Sequence, residues 1–192
     1  MSIESSYIWM DGKFVPFAEA NVHVLSHSLH YGLGVFEGIR SYEQVGGGGG
    51  VFKLDEHLRR LKDSAKMCRM EVQYSIEELR DACIATLQKN EFSSAYIRPL
   101  VYLGMGGMGL GARNNPVHTS IIVWKWGAYL GDEGINNGIR VATSSFTRHH
   151  VNANLQRAKI TGHYVNSILA RYEANDNGYD EAIMLDHSGY VA

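Results

Sequence analysis

Two consecutive amphipathic stretches constrain this chain more than any other feature. Leu58, Leu61, Ala65 and Cys68 recur at three- and four-residue spacing, and so do Ile76, Leu79, Cys83 and Leu87. That period lays apolar side chains along one stripe of an α-helix, and each stripe must be buried against something. Asp55 stands where it can cap the first helix, and Ser75-Ile-Glu-Glu78 is a capping box that opens the second. The residues on either side read as strands: Val51-Phe-Lys-Leu54 before, and Ala95 to Leu103 after, where alternation puts Tyr96, Arg98, Leu100 and Tyr102 on one face. The pattern predicts two helices on a sheet.

The rest of the chain extends that plan. Tyr7 to Met10, Asp11-Gly12 and Lys13 to Val15 spell a hairpin, since Asp-Gly tolerates the positive φ angles of a tight primed turn, and Pro16 ends its second strand. Residues 21 to 43 read as a short helical or turn segment leading into a strand at about Gly34 to Tyr42. The five glycines Gly46 to Gly50 suit a hairpin loop, because both flanks are strand-like, and Thr119 to Trp126 is a further strand. Residues 127–138 hold four glycines and no apolar period, which marks a linker between a first domain, 1–126, and the start of a second, 139–192. In the second, Ile139 to Ser145 reads as a strand, a helix carries Tyr164, Val165, Ile168, Leu169 and Tyr172 and stops at Gly178, and Asp180 to Asp186 returns as a strand.

Composition excludes several classes of partner. Lys plus Arg total 18 against 20 Asp plus Glu, a net charge of −2 with no basic block, so neither nucleic acid nor an anionic membrane is indicated. No run approaches the roughly 20 apolar residues of a membrane span, and the first residues lack the pattern of a secretory signal. Two cysteines in apolar helical positions, Cys68 and Cys83, suit buried hydrophobes in a reducing compartment. A soluble, cytoplasmic protein acting on small molecules is the expectation.

Gly104-Met-Gly-Gly-Met-Gly109 follows a strand with dinucleotide-loop spacing, but Leu110-Gly-Ala-Arg-Asn-Asn-Pro116 does not open the helix that would receive a pyrophosphate. A loop that folds over a substrate fits better. His23, His27 and His30 would share a helix face, yet nothing in that segment completes a zinc set, so no metal is expected. No Gly-x-Ser-x-Gly elbow is present. Arg60 is a solvated helix arginine or a phosphate clamp, and Arg98, on a strand face beside Leu100, needs an anion, a polar cavity or an internal ion pair. Lys159 lies where a strand-to-helix junction is expected. By itself it is a surface charge, as most lysines are, or an ammonium desolvated at that junction into an amine fit for Schiff-base chemistry.

The segments Asp11-Gly-Lys, His30-Tyr-Gly-Leu-Gly-Val-Phe-Glu-Gly-Ile-Arg40, His57-Leu-Arg-Arg-Leu61, Ala95-Tyr-Ile-Arg-Pro99, Trp126-Gly-Ala-Tyr-Leu-Gly131, Ala158-Lys159 with Tyr164, and Gly178-Tyr-Asp-Glu-Ala182 preserve order and spacing over nearly the whole chain. Together they resemble the fold-type IV pyridoxal-phosphate enzymes, specifically the bacterial branched-chain amino-acid aminotransferases. The resemblance implies an α+β fold with a small α/β N-terminal domain and the start of a larger cofactor-binding domain. It implies pyridoxal 5′-phosphate as cofactor, with Lys159 as the catalytic lysine that holds it, Arg60 on its phosphate and Tyr164 on its phenolic oxygen. Phe36, Tyr96, Arg98 and Trp126 correspond to the substrate pocket. Tyr31 and the loop Met108-Gly109-Leu110 correspond to groups lent to a neighbouring subunit's pocket, hence a homo-oligomer, dimer or hexamer, built on a dimer.

The implied reaction is transamination of Leu, Ile or Val with 2-oxoglutarate, giving branched 2-oxo acids and glutamate. Relatives of the same fold act on D-amino acids or cleave aminodeoxychorismate, and from a different class the first domain could be a non-catalytic dimerising module. The family pattern further implies a Glu-Gly-x-x-x-Asn motif following Tyr190-Val-Ala192, with the glutamate on the pyridine nitrogen. A chain without it is expected to be C-terminally incomplete, to bind cofactor weakly and to turn over little.

Overall fold

The computed structural model describes residues 5–127 and 131–192, and its contacts divide the chain into two compact units. The first runs over Met1–Trp126 together with Ala158–Thr161, the second over Gly127–Arg157 together with Gly162–Ala192.

In the first unit, strands β1 (Tyr7–Met10) and β2 (Lys13–Pro16) form the expected hairpin. Asp11 and Gly12 take φ of 46° and 89° at its turn, and Met10 pairs with Lys13. A short helix α1 (His27–Tyr31) leads into β3 (Gly34–Phe36) and β4 (Ile39–Glu43). One continuous strand was the expectation here. Helix α2 (Leu54–Met67) follows β5 (Gly49–Val51), and α3 (Ile76–Lys89) precedes β6 (Ala95–Leu103) and β7 (Val117–Trp124). Among the described residues, seven strands form one sheet in the order β2-β1-β7-β6-β4-β5, with β3 alongside β6 in line with β4.

The break between β3 and β4 has a backbone cause. Phe36 pairs with Leu100 and Ile39 with Ile97, so the two strands keep a single register on β6. Between them the Glu37 N–H donates to Pro99 O at 2.9 Å, but Pro99 has no N–H to return the bond. The ladder lapses at Glu37-Gly38 and a corner forms there. The five-glycine run also differs from expectation, because Gly49 and Gly50 pair with Glu43 and Tyr42 as strand, and the turn is Gln44 to Gly48.

Both helices bury their stripes against the sheet. Leu58, Leu61, Leu79 and Cys83 are fully buried and share one core with Ile97 and Val123. Each of these leucine, isoleucine and valine side chains stabilises the fold by about 1.5–3 kcal/mol relative to exposure. The capping box closes as expected: Ser75 N donates to Glu78 Oε2 at 2.7 Å and Glu78 N to Ser75 Oγ at 3.1 Å. Asp55 does not cap α2. The helix begins at Leu54 after Lys53 in the left-handed region, and the Asp55 carboxylate accepts a fork from Arg80 of α3 at 2.7 and 2.6 Å.

In the second unit, residues 131–137 of the segment expected as a linker form helix α4 (Gly131–Asn137), while residues 128–130 lie outside the described residues. Strand β8 (Val141–Thr147) and β9 (Glu181–Leu185) pair in parallel, joined by helix α5 (Tyr164–Asp176). Glu173 of α5 accepts hydrogen bonds from the hydroxyls of Ser144 and Ser145 on β8. After β9, Asp186 accepts N–H bonds from Ser188 and Tyr190 at 2.8 and 2.9 Å and makes the expected turn. No helix among the described residues is long and apolar enough to cross a membrane.

Candidate active site

One face of helix α2 organises the site. His57, Arg60 and Ser64 fall at i, i+3 and i+7, so all three project from one side of the helix. Ser64 is fully buried, and its hydroxyl oxygen accepts the backbone N–H of Lys159 at 3.1 Å. The Lys159 carbonyl in turn accepts the Phe36 N–H at 3.1 Å, and Ile160 makes an antiparallel bridge with Val35. The Thr161 hydroxyl donates to Gly32 O at 2.8 Å and accepts from Gly34 N at 3.1 Å. Ala158 to Thr161 is thereby clipped along β3. Lys159 itself is half-buried, with its Nζ 4.9 Å from the centroid of the Phe36 ring.

Phe36 carries a second cation. The Arg98 guanidinium carbon lies 4.6 Å from the same ring centroid, 5.1 Å from that of Tyr96 and 5.4 Å from that of Trp124. An Arg98 Nη2 donates to the Tyr96 hydroxyl at 3.1 Å. Tyr96 is packed against Trp124 at 4.7 Å and Trp126 at 4.6 Å between centroids. The result is a wall of aromatic faces around a guanidinium, favourable both for cation–π contact and for aliphatic side chains. Arg98 Nε is buried without a hydrogen-bond partner among the described residues. Such a donor costs free energy until an acceptor arrives.

Gly38 makes this wall possible. A Cβ there would stand 2.0 Å from the Tyr96 hydroxyl, so only glycine lets the ring lie across the β3–β4 corner.

The residue before it, Glu37, is fully buried, yet charged groups meet it on two sides. Arg60 donates from Nε to Oε1 at 2.5 Å and from Nη2 to Oε2 at 2.7 Å, and His57 Nδ1 donates to Oε2 at 2.8 Å. Burial pushes the Glu37 pKa up, but the hydrogen bonds and charges of Arg60 and His57 outweigh it and hold the carboxyl below its ordinary range. Arg60 is thus aimed by a fork, with its side chain still 52% exposed.

The structure brings together Phe36, Tyr96, Arg98, Trp126 and Lys159 in the first unit, with Arg60 on the helix that holds the Lys159 backbone. Tyr31 and Gly109 form a separate pair beyond the other end of β6: the Tyr31 hydroxyl accepts the Gly109 N–H at 2.9 Å, and His27 Nε2 donates to Gly109 O at 2.9 Å. Met108 and Leu110 flank it, both exposed. Tyr164 is the first residue of α5, in the second unit. His23 and His30 hydrogen-bond Leu25 N and Val24 O at 3.1 and 2.8 Å. Among the described residues no cluster of His, Cys, Asp and Glu could hold a metal ion. Sequence reasoning did not single out Glu37, His57, Ser64 or Trp124. The first two stood inside motifs already noted, but nothing within either motif signals that they pair.

The family model for class IV amino-transferases matches residues 34–192. The chain is 50% identical over 192 residues to a branched-chain-amino-acid aminotransferase of Pseudomonas aeruginosa, covering 100% of this chain and 62% of that protein. A protein of the same name from Escherichia coli K12 is 45% identical over 193 residues, covering 98% and 61%. Among solved structures, the Escherichia coli branched-chain amino acid aminotransferase superposes with a TM-score of 0.93 at 44% identity, over 98% of this chain and 62% of that one. The Thermoproteus uzoniensis branched-chain aminotransferase with norvaline gives 0.91 at 42% identity, over 98% and 62%. The chain therefore spans about three fifths of the length of these relatives. Over that span it shares their mixed α and β fold, and by the extent of the family match it belongs to the class IV aminotransferases.

Proposed function

We propose that this chain carries the lysine and the substrate wall of a pyridoxal 5′-phosphate-dependent transaminase acting on branched-chain L-amino acids with 2-oxoglutarate. The observation that carries the reading is the Phe36 ring, which lies against the Lys159 amine on one hand and the Arg98 guanidinium on the other. An amine and an anion-binding cation share one aromatic surface there. That suits a substrate with a reacting amino group and, in the glutamate half-reaction, a second carboxylate.

The residues present fit the cofactor. Lys159 supplies a half-buried amine on a backbone pinned by Ser64 and Phe36, and Arg60 supplies a guanidinium whose direction is fixed by Glu37. A guanidinium held this way presents its other edge to phosphate oxygens in planar geometry. When bound, the pyridine ring supplies the electron sink for a carbanion at the substrate Cα and carries the amino group between half-reactions. The Lys159 amine moves the Cα proton. Arg98 binds the side-chain carboxylate of glutamate through the donor that lacks a partner, while Phe36, Tyr96 and Trp126 cover Val, Leu or Ile side chains. Tyr164 is the residue proposed for the cofactor's phenolic oxygen, a reading that the family likeness supports.

Relatives of known structure support this reading. They include branched-chain amino acid aminotransferases solved with pyridoxamine 5′-phosphate, with N-(5′-phosphopyridoxyl)-L-glutamate and with 4-methylvaleric acid. An oligomer built on a dimer, in the cytoplasm, completes it. Leu29, Met108 and Leu110 are exposed beside Tyr31, the surface through which Tyr31 and Met108-Gly109-Leu110 would serve a neighbouring copy. The test is a side-by-side assay with L-leucine, D-alanine and aminodeoxychorismate, each with pyridoxal 5′-phosphate. Leucine-dependent formation of glutamate from 2-oxoglutarate is expected. Turnover of D-alanine or aminodeoxychorismate in preference to leucine would replace the substrate class.

A further inference from the structure

We propose that Glu37 is a positioning residue for phosphate recognition: by gripping Arg60 through Nε and Nη2 and leaning on His57, it presets the arginine that meets the cofactor phosphate. The inference rests on the reading of Arg60 as the phosphate ligand and adds to it a residue with no contact to the ligand itself.

Three observations carry it. The carboxylate is fully buried at the corner between β3 and β4, where a lone charge would be costly, and both of its oxygens are engaged by charged or titratable donors of α2. The corner does not swing. Glu37 N is tied to Pro99 O at 2.9 Å, and Phe36 and Ile39 on either side pair with Leu100 and Ile97 of β6. Arg60, by contrast, has a half-exposed side chain with several rotatable bonds. Without a fixed fork it would lose that freedom each time it closed on phosphate, and Glu37 removes the loss beforehand. The same carboxylate also subtracts positive charge from the site. Orientation and charge therefore predict opposite signs for its removal, and that makes the proposal testable.

The readout is the ratio of affinities for pyridoxal 5′-phosphate and pyridoxal, titrated by absorbance on the same chain, because a general folding defect weakens both ligands alike. In Glu37→Gln the ratio is expected to fall by about three- to tenfold, the range for freeing one long side chain. In Arg60→Lys the ratio falls further, and adding Glu37→Gln to it changes nothing more. A Glu37→Gln ratio equal to or above that of the unchanged chain overturns the positioning role and makes the carboxylate a bystander or a charge competitor. If the unchanged chain binds the two ligands equally, the reading of Arg60 falls and this proposal with it.

A measurement on the unchanged chain guards against a Glu37→Gln variant that fails to fold. The side-chain Nε–H resonance of Arg60, assigned by its loss in Arg60→Lys, is expected to be resolved and slow to exchange before and after addition of inorganic phosphate. Rapid exchange typical of surface arginines in both conditions would overturn the preset fork.

Discussion

Lys159 donates its backbone N–H to the buried hydroxyl oxygen of Ser64 at 3.1 Å, so the helix that carries Arg60 also holds the residue that bears the amine. Ser64→Ala removes this fully buried acceptor and leaves the Lys159 N–H without it. The expected loss is about 1–3 kcal/mol of unfolding free energy. Urea denaturation measures it, and a loss of only a few tenths would show that the bond does not hold the Lys159 segment.

Gly38 is the close approach on which the aromatic wall depends. Gly38→Ala sets a methyl group 2.0 Å from the Tyr96 hydroxyl, and Tyr96 cannot retreat without leaving Trp124 and Trp126. Overpacking of this kind costs about 1–3 kcal/mol. The near-ultraviolet circular dichroism and tryptophan emission should change together with that loss. Unchanged spectra would mean that the corner, and not the ring, gives way.

How far the residues alone revealed this molecule depended on how locally each feature is encoded. The Asp11-Gly12 turn and the Ser75–Glu78 capping box were legible because every participating atom lies within four residues. Asp55 stands where a cap is expected, but its partner, Arg80, is 25 residues away on another helix and cannot be seen locally. The strand break at Glu37 depends on Pro99, which cannot be known to face it until the register of β6 is known. Lys159 stood out only through the family likeness, since its support comes from Ser64, 95 residues earlier. Glu37 and His57 were visible as letters of motifs, but a carboxylate that grips an arginine across 23 residues has no local signature.

Both cysteines are buried and free, and burial pushes the Cys83 thiol up to about 12 and raises Cys68 as well. Neither should form thiolate at neutral pH. Labelling of the native chain with a thiol-specific reagent is expected to be negligible until denaturant is added. Prompt labelling of Cys83 in the native state would contradict the core packing between α3 and the sheet.

Glu37 also makes stability depend on pH in a definite direction. Its folded carboxyl titrates below its ordinary 4.5, because the bonds and charges of Arg60 and His57 outweigh the burial that raises it. Its contribution is therefore fully present above the unfolded value and is lost as pH falls through the folded one. Denaturation of the unchanged chain and of Glu37→Gln should differ most at neutral pH and converge as the pH falls below about 4.5. A difference that grows on acidification would contradict an ionised Glu37.

Arg98 stands among the Phe36, Tyr96 and Trp124 rings with a buried Nε that has no partner among the described residues. In Arg98→Gln the KM for 2-oxoglutarate should rise by about 10- to 100-fold, the range for a lost charge-assisted hydrogen bond. The KM for leucine should change much less. Equal changes for both would place Arg98 in the scaffold and not on the carboxylate.

Lys159 is the residue proposed to take the cofactor. Incubating the protein with pyridoxal 5′-phosphate, reducing with borohydride and mapping peptides by mass measures it directly. The added phosphopyridoxyl mass is expected on the peptide carrying Lys159, and is expected to be lost in Lys159→Ala. Labelling of other lysines with Lys159 unmodified would contradict it.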